Sequence, residues 1–125
     1  MERKFIGPVA GRAYSSIVMT RGGTTLWLAG HTGTVDESGA ALSKFDDQVR
    51  QTFKNIEATL KRAGGQLSDI VTMTVYILDV RHGDRFVELR REILTKDFPA
   101  SALVTVAGFA RPEIQIEIMP VAVIP

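Results

Sequence analysis

The chain has 125 residues, 45% hydrophobic and 23% charged, with a formal net charge of +1 and no cysteine. Those are ordinary globular proportions, and they exclude a disulfide framework, a thiolate nucleophile and a zinc–cysteine site. A near-neutral chain without a Lys/Arg run interleaved with aromatics offers no field for nucleic acid, so no nucleic-acid partner is expected.

The opening stretch, "MERKFIGPVAGRAYSS", is charged and then mixed, without the apolar segment of a signal peptide. "AYSSIVMT" (13–20) and "TTLWLAG" (24–30) flank Arg21-Gly22-Gly23, which predicts a hairpin. Residues 30–41, "GHTGTVDESGAA", read as a loop. A helix follows, with Ser43 as its cap and Asp46 in a capping-box-like position. Phe45, Val49, Phe53, Ile56 and Leu60 form its apolar stripe, and Gly64-Gly65 ends it.

"DIVTMTVYILDV" (69–80) alternates Val71, Met73, Val75 and Ile77 against Thr72, Thr74, Tyr76 and Leu78, the period of a strand. "GDRFVELRREIL" (83–94) predicts a second helix, with Asp84 as a possible cap and Phe86, Leu89 and Ile93 on one face. "ALVTVAGF" (102–109) and "EIQIEIMPVAVI" (113–124) read as two strands around a turn at Ala110-Arg111-Pro112. In the last of them Ile114, Ile116 and Ile118 alternate with Gln115, Glu117 and Met119.

The order ββαβαββ predicts one two-layer α+β domain over 1–125, a single mixed sheet with both helices on one face, as right-handed crossovers require. The other face, carrying Tyr76, Leu78 and Met119, is too apolar to be left in water, so a homo-oligomer packed through it is expected. No stretch approaches the ~20 apolar residues of a spanning helix. No membrane association and a cytoplasmic location are the expectation.

Glu117 falls on the uncovered face. It is either a sheet-face acid paired with a Lys or Arg, or a carboxylate half-buried at a subunit boundary and suited to proton transfer. His31, in "GHTG", is either an exposed loop histidine or a hydrogen-bond donor at a strand end. His82 reads as surface. Two histidines this far apart, with no third ligand at suitable spacing, make a metal site unexpected. Tyr14 opens the first predicted strand as a packing residue with a wet hydroxyl. Ser15, Ser16 and Ser101 lack a G-x-S-x-G elbow, and no phosphate-loop or dinucleotide fingerprint is present.

The segments "AYSSIV", "LWLAGHTG", "QVRQTFKNIEATLKRAGG" followed by "LSDIVTMTVYILDV", "FPASALVTV" and "IQIEIMPVAVI" together resemble the Rid (YjgF) family over nearly the whole chain. The helix–AGG–DIV–strand succession is the most specific of these. The resemblance implies a chorismate-mutase-like fold and a homotrimer with three clefts between subunits. It also implies hydrolysis of reactive enamines and imines to carbonyl compounds and ammonia, without cofactor or metal. Carried over by position, it places the cleft tyrosine at Tyr14, the cleft turn backbone at Gly30 and the water-activating glutamate at Glu117.

The departures bear on substrate. Active deaminases of the family carry P-A-R-S, whose arginine clamps the substrate carboxylate, whereas this chain reads "PASA" with Ser101 at that position. Leu103 replaces a frequent cysteine, and His31 replaces the glutamine of the S-G-Q turn. Amino-acid-derived enamine acids such as 2-aminoacrylate are therefore expected to bind poorly unless Arg12 or Arg111 reaches the cleft. The expected function is a deaminase acting on a different imine or enamine, with Glu117 as base, His31 or Ser101 orienting water or ligand, and Leu103 lining the pocket. The alternative is a non-catalytic small-molecule-binding trimer. A ribonuclease, the third reading, is disfavoured by the near-neutral charge and the lack of a catalytic histidine pair.

Overall fold

The apolar stripe becomes helix α1 (Phe45–Arg62), and its Phe45, Val49, Phe53, Ile56 and Leu60 are all buried. The structure, a computed structural model, describes residues 1–9 and 11–125. Gly64 ends α1 as expected: its φ of 81° is the left-handed conformation that glycine adopts without a Cβ penalty. The Gly65 N–H then reaches back to Leu60 O (2.8 Å) and the Gly64 N–H to Lys61 O (3.1 Å). The start differs from expectation. Lys44 is the cap residue with no side-chain cap bond, and the Ser43 carbonyl instead accepts from Gln115 Nε2 (2.6 Å).

Six strands accompany the two helices: β1 (Glu2–Val9), β2 (Tyr14–Arg21), β3 (Thr24–Trp27), β4 (Ile70–Ile77), β5 (Ala100–Thr105) and β6 (Ile116–Ile124). Helix α2 (Gly83–Leu94) occupies the span its pattern predicts, though Asp84 does not cap it and pairs with Arg12 at 2.8 Å. A mixed sheet runs β3-β6-β4-β5, with β4 and β5 parallel and the other pairs antiparallel. Phe53 and Ile56 of α1, Phe86 and Leu89 of α2, Met73, Val75 and Ile77 of β4, and Ile116 and Ile118 of β6 make one core. Both helices therefore cover the same face of the sheet.

Three details correct the sequence reading. The mixed opening stretch is itself a strand, β1, which pairs with β2 in a separate two-stranded ribbon. Arg21-Gly22-Gly23 is thus not a hairpin turn. Its glycines, with φ of 74° and 80°, carry the chain from the ribbon into the main sheet, where β3 pairs with β6. A β-bulge between Ile70 and Thr72 puts Ile70, not Val71, into the core, because the extra residue shifts the alternation by one. Finally, β5 and β6 do not adjoin: β4 lies between them, and both begin or end short of the predicted limits.

Gln48, fully buried on α1, ties the approaches to the helix and to β6 together. Its Nε2 donates to Leu42 O and Glu113 O, and its Oε1 accepts from the Gln115 N–H. Gln48→Leu strands all three backbone groups, and urea denaturation is expected to show a loss of about 2 kcal/mol or more. Unchanged stability would mean that water replaces the amide.

The face opposite the helices is uncovered and apolar. Trp27 is 80% exposed, Met119 44% and Val104 39%, and the pairings Thr74–Met119 and Tyr76–Glu117 place Tyr76 and Glu117 among them. Among the described residues no helix is long and apolar enough to cross a membrane.

Candidate functional site

Glu117 is held by its neighbours along the strand. Ile116 and Ile118 are fully buried against the helices, so strand alternation forces the carboxylate onto the open face, where it is half-buried. On the β4 side it stands opposite Tyr76. On the other side the chain leaving β3 runs close by, and a Cβ on Gly30 would lie 2.1 Å from Glu117 Oε2 and 3.0 Å from its Cδ. A side chain at position 30 would therefore have to displace the carboxylate. Among the described residues no cation is paired with this carboxylate, so the paired sheet-face acid that the sequence allowed is not what forms within one protomer.

His31 is a hydrogen-bond donor at a strand end, the second of its two expected readings. It pairs through its backbone with Ile118, whose side chain faces the core, and its ring lies on the helix side, away from Glu117. A carbonyl only accepts, so Nδ1 donates to Ala29 O (2.7 Å), and in the neutral ring Nε2 accepts from the Thr59 hydroxyl of α1 (2.8 Å). Both nitrogens are committed to holding the loop against α1. His82 is likewise not a simple surface residue, for its ring stacks on Phe45 with centroids 4.2 Å apart.

Tyr14, Ser101 and Leu103 gather elsewhere. Ser15 donates its N–H to Pro99 O (3.1 Å) and its hydroxyl to Phe98 O (2.6 Å), which fixes the start of β2 beside the start of β5. Ala13, just before Tyr14, is fully buried with φ of 57°, a conformation costly for any residue but glycine. In the parallel register Ser101 pairs with Met73 and Leu103 with Val75, both core residues, so their side chains point to the helix side of this edge strand. Leu103 packs against the core there. The structure therefore brings Glu117 to Gly30, and Tyr14 to the Ser101 edge, with β4 separating the two groups inside one protomer.

Around Ser101 stands a residue that sequence reasoning missed. Arg90 of α2 is 2% exposed; its Nη1 donates to Ser101 Oγ (2.9 Å), its Nη2 to Arg12 O (2.8 Å), and its guanidinium lies 5.1 Å from the centre of the Phe86 ring. Its Nε is buried without a partner. Burial first, and the charge of Arg12 second, push its pKa down to about 10, with Tyr14 opposing the shift. It stays protonated at neutral pH. The signal was present in the sequence: position 90 lies four residues after Phe86, on the apolar stripe of α2, where a charge is out of place. Arg12 and Arg111, the cations suggested instead, are exposed and pair with Asp84 (2.8 Å) and Glu113 (3.2 Å).

Known proteins share this architecture. A solved structure of the Rid family protein YyfB from Yersinia pestis superposes with a TM-score of 0.85, at 23% identity over 99% of this chain and 100% of that one, which establishes the fold. A RutC family protein from Aquifex aeolicus is 33% identical over 117 residues, covering 91% of this chain and 92% of its own length. A human protein named 2-iminobutanoate/2-iminopropanoate deaminase is 29% identical over 94% of this chain and 81% of its own. Residues 7–124, all six strands and both helices except the start of β1, match the family model described as Endoribonuclease L-PSP. With that match spanning nearly the whole fold, the chain belongs to this family, the Rid or YjgF family.

Proposed function

We propose that the chain is a hydrolytic deaminase of a reactive imine or enamine, releasing a carbonyl compound and ammonia, with Glu117 as the general base. The observation that carries this reading is the unpaired Glu117 carboxylate, laid over Gly30 on an exposed apolar face. Relatives named as iminobutanoate/iminopropanoate deaminases support the reaction class. The exposed apolar face supports burial against further copies of the chain as a homotrimer, in which the Ser101 edge of one protomer meets the Glu117 face of the next.

In the reaction, water adds to the carbon of the protonated C=N bond while Glu117 takes one of its protons. The tetrahedral carbinolamine then collapses. The Glu117 carboxylic acid returns the proton to nitrogen, the C–N bond breaks as the carbonyl forms, and the hydroxyl proton passes through the Glu117 carboxylate to the departing ammonia, which leaves as ammonium. One water is consumed for each ammonia released. General-base assistance of this kind contributes about 10²–10⁴ in rate.

The test is ammonia release from imines generated in situ, 2-iminobutanoate and carboxylate-free imines side by side, with the oligomeric state measured by sedimentation. Acceleration over the spontaneous hydrolysis supports the reading; none with any imine favours the non-catalytic binder, for which Ser101 in place of an arginine is the specific argument. Gly30→Ala adds a second check. The clash falls on the far end of a flexible side chain, so the fold should survive while the carboxylate is displaced. A shift of about 1 Å costs on the order of 10² in rate, so a fully active Gly30→Ala protein would show that the position of Glu117 is unimportant.

A further inference from the structure

Loop residues 31–33 are registered along helix α1 at helical spacing. The His31 ring meets Thr59 (2.8 Å), the Thr32 carbonyl accepts from Asn55 Nδ2 (2.8 Å), and Gly33 lies against the backbone at Thr52. Positions 59, 55 and 52 are four and three residues apart, so they share one face of the helix. Each of these ties holds the loop down.

His31 does more, because its contacts bracket Gly30. Its backbone N–H donates to Ile118 O (2.8 Å) and its carbonyl accepts from the Ile118 N–H (3.0 Å), on the residue that follows Glu117. Its ring reaches back across Gly30 to Ala29 O (2.7 Å). The peptide joining Ala29 to Gly30 is thus fixed through its oxygen, and the Gly30 N–H of that planar trans unit is turned away from the ring. Gly30 in turn bounds the Glu117 carboxylate, since a Cβ there would lie 2.1 Å from Oε2. Thr59 completes the path. Its hydroxyl donates to Nε2, which keeps the ring proton on Nδ1, where Ala29 O accepts it.

We propose that His31, oriented by Thr59, is a positioning residue for proton transfer by Glu117. It holds the turn that seats the carboxylate, so a hydroxyl in the helix layer governs chemistry on the opposite face of the sheet. The proposal rests on the deaminase reading of Glu117. The ring of His31 and the hydroxyl of Thr59 lie on the helix side, away from where an imine would meet Glu117. Their loss should therefore lower kcat and spare KM. Asn55 supplies the contrast: its bond ties the same loop to the same helix, but downstream of Gly30.

The test is steady-state hydrolysis of whichever imine the wild type accepts, run well below the melting temperature. It compares His31→Ala, His31→Gln, Thr59→Val, Asn55→Ala and Glu117→Gln, beside NMR spectra of backbone amides and side-chain carboxyl carbons. His31→Ala should lose about 10² in kcat, the cost of a misplacement of about 1 Å, with KM nearly unchanged. His31→Gln, whose amide can donate to Ala29 O, should recover most of that loss. Thr59→Val removes one hydrogen bond and should lower kcat about two- to tenfold. Asn55→Ala should melt earlier but keep full kcat. The Gly30 amide and Glu117 carboxyl signals should move in His31→Ala and Thr59→Val, and stay in Asn55→Ala. Full kcat in His31→Ala or Thr59→Val, a loss carried by KM, no recovery in His31→Gln, an equal loss in Asn55→Ala, or unmoved Gly30 and Glu117 signals would each overturn the positioning role. Thr59→Val decides the matter if His31→Ala does not fold. The two readings fail separately. Without turnover of any imine the deaminase falls, and the spectra alone judge the link from Thr59 to Glu117. Turnover that dies in Glu117→Gln but ignores positions 31 and 59 keeps the deaminase and removes the positioning role.

Discussion

Glu117→Gln should stop imine hydrolysis and leave the protein folded. The glutamine keeps the size of the side chain and its place over Gly30, but it cannot take a proton from water. Turnover should fall by about 10²–10⁴, the range for loss of a general base. Because no ion pair is lost with the charge, stability should move by no more than about 0.5 kcal/mol, as for substitutions away from core and networks. The measurement is single-turnover ammonia release beside a thermal melt. A glutamine variant that hydrolyses imines at the wild-type rate would move the proton step to another group and leave Glu117 as a bystander.

The largest effect on stability is expected at Gly33→Ala. Gly33 lies against α1 so closely that a Cβ there would stand 2.5 Å from Thr52 N and 2.8 Å from both Gln48 O and the Gln51 carbonyl carbon. These are backbone atoms of a helix, so no side chain can swing aside. The same loop is lashed to α1 by Asn55 Nδ2 bonded to Thr32 O (2.8 Å) and by the His31–Thr59 contact. Overpacking of this kind costs about 1–3 kcal/mol and sometimes more. For a chain of this size each kcal/mol lowers the melting temperature by roughly 4 °C. Calorimetry should therefore show a drop of several degrees, and an unchanged melt would mean that the loop can lift off the helix.

The helices were legible because their evidence is local. Five apolar residues at helical spacing and a glycine stop define α1, and no distant residue has to be known. The strands were legible only as segments. Which strand pairs with which depends on the crossovers, so β2 appeared to turn back on β3 when its partner is β1, a stretch too mixed to announce itself. Gly22 and Gly23 could serve a hairpin or a change of sheet, and their residue types are the same in either case.

The candidate site was legible to the extent that one strand carries it. Alternation alone put Glu117 opposite the core. His31 follows a different rule: its backbone pairing with Ile118 decides which way the ring points, and that pairing is set by the register of β6, not by the neighbouring glycines. Arg90 shows the reverse. Reading the serine at position 101 alone suggested a missing charge, while the charge sat eleven residues earlier on a different element.

The ribbon of β1 and β2 has a bearing on how the molecule breathes. Among the described residues its polar ties to the rest of the molecule are the two bonds from Ser15, Arg3, which donates to Ser68 O (3.2 Å) and Val123 O and lies 3.6 Å from Asp69, and, at its turn, Arg90 donating to Arg12 O and Arg12 pairing with Asp84. Such a piece can detach as a cooperative unit at a free energy well below that of global unfolding. When it does, Tyr14 and the Arg12 carbonyl leave Arg90, while Glu117 and the core of β4 and β6 stay in place. The two groups of candidate residues thus differ in how readily they open, and a ligand that touched both would hold the ribbon closed.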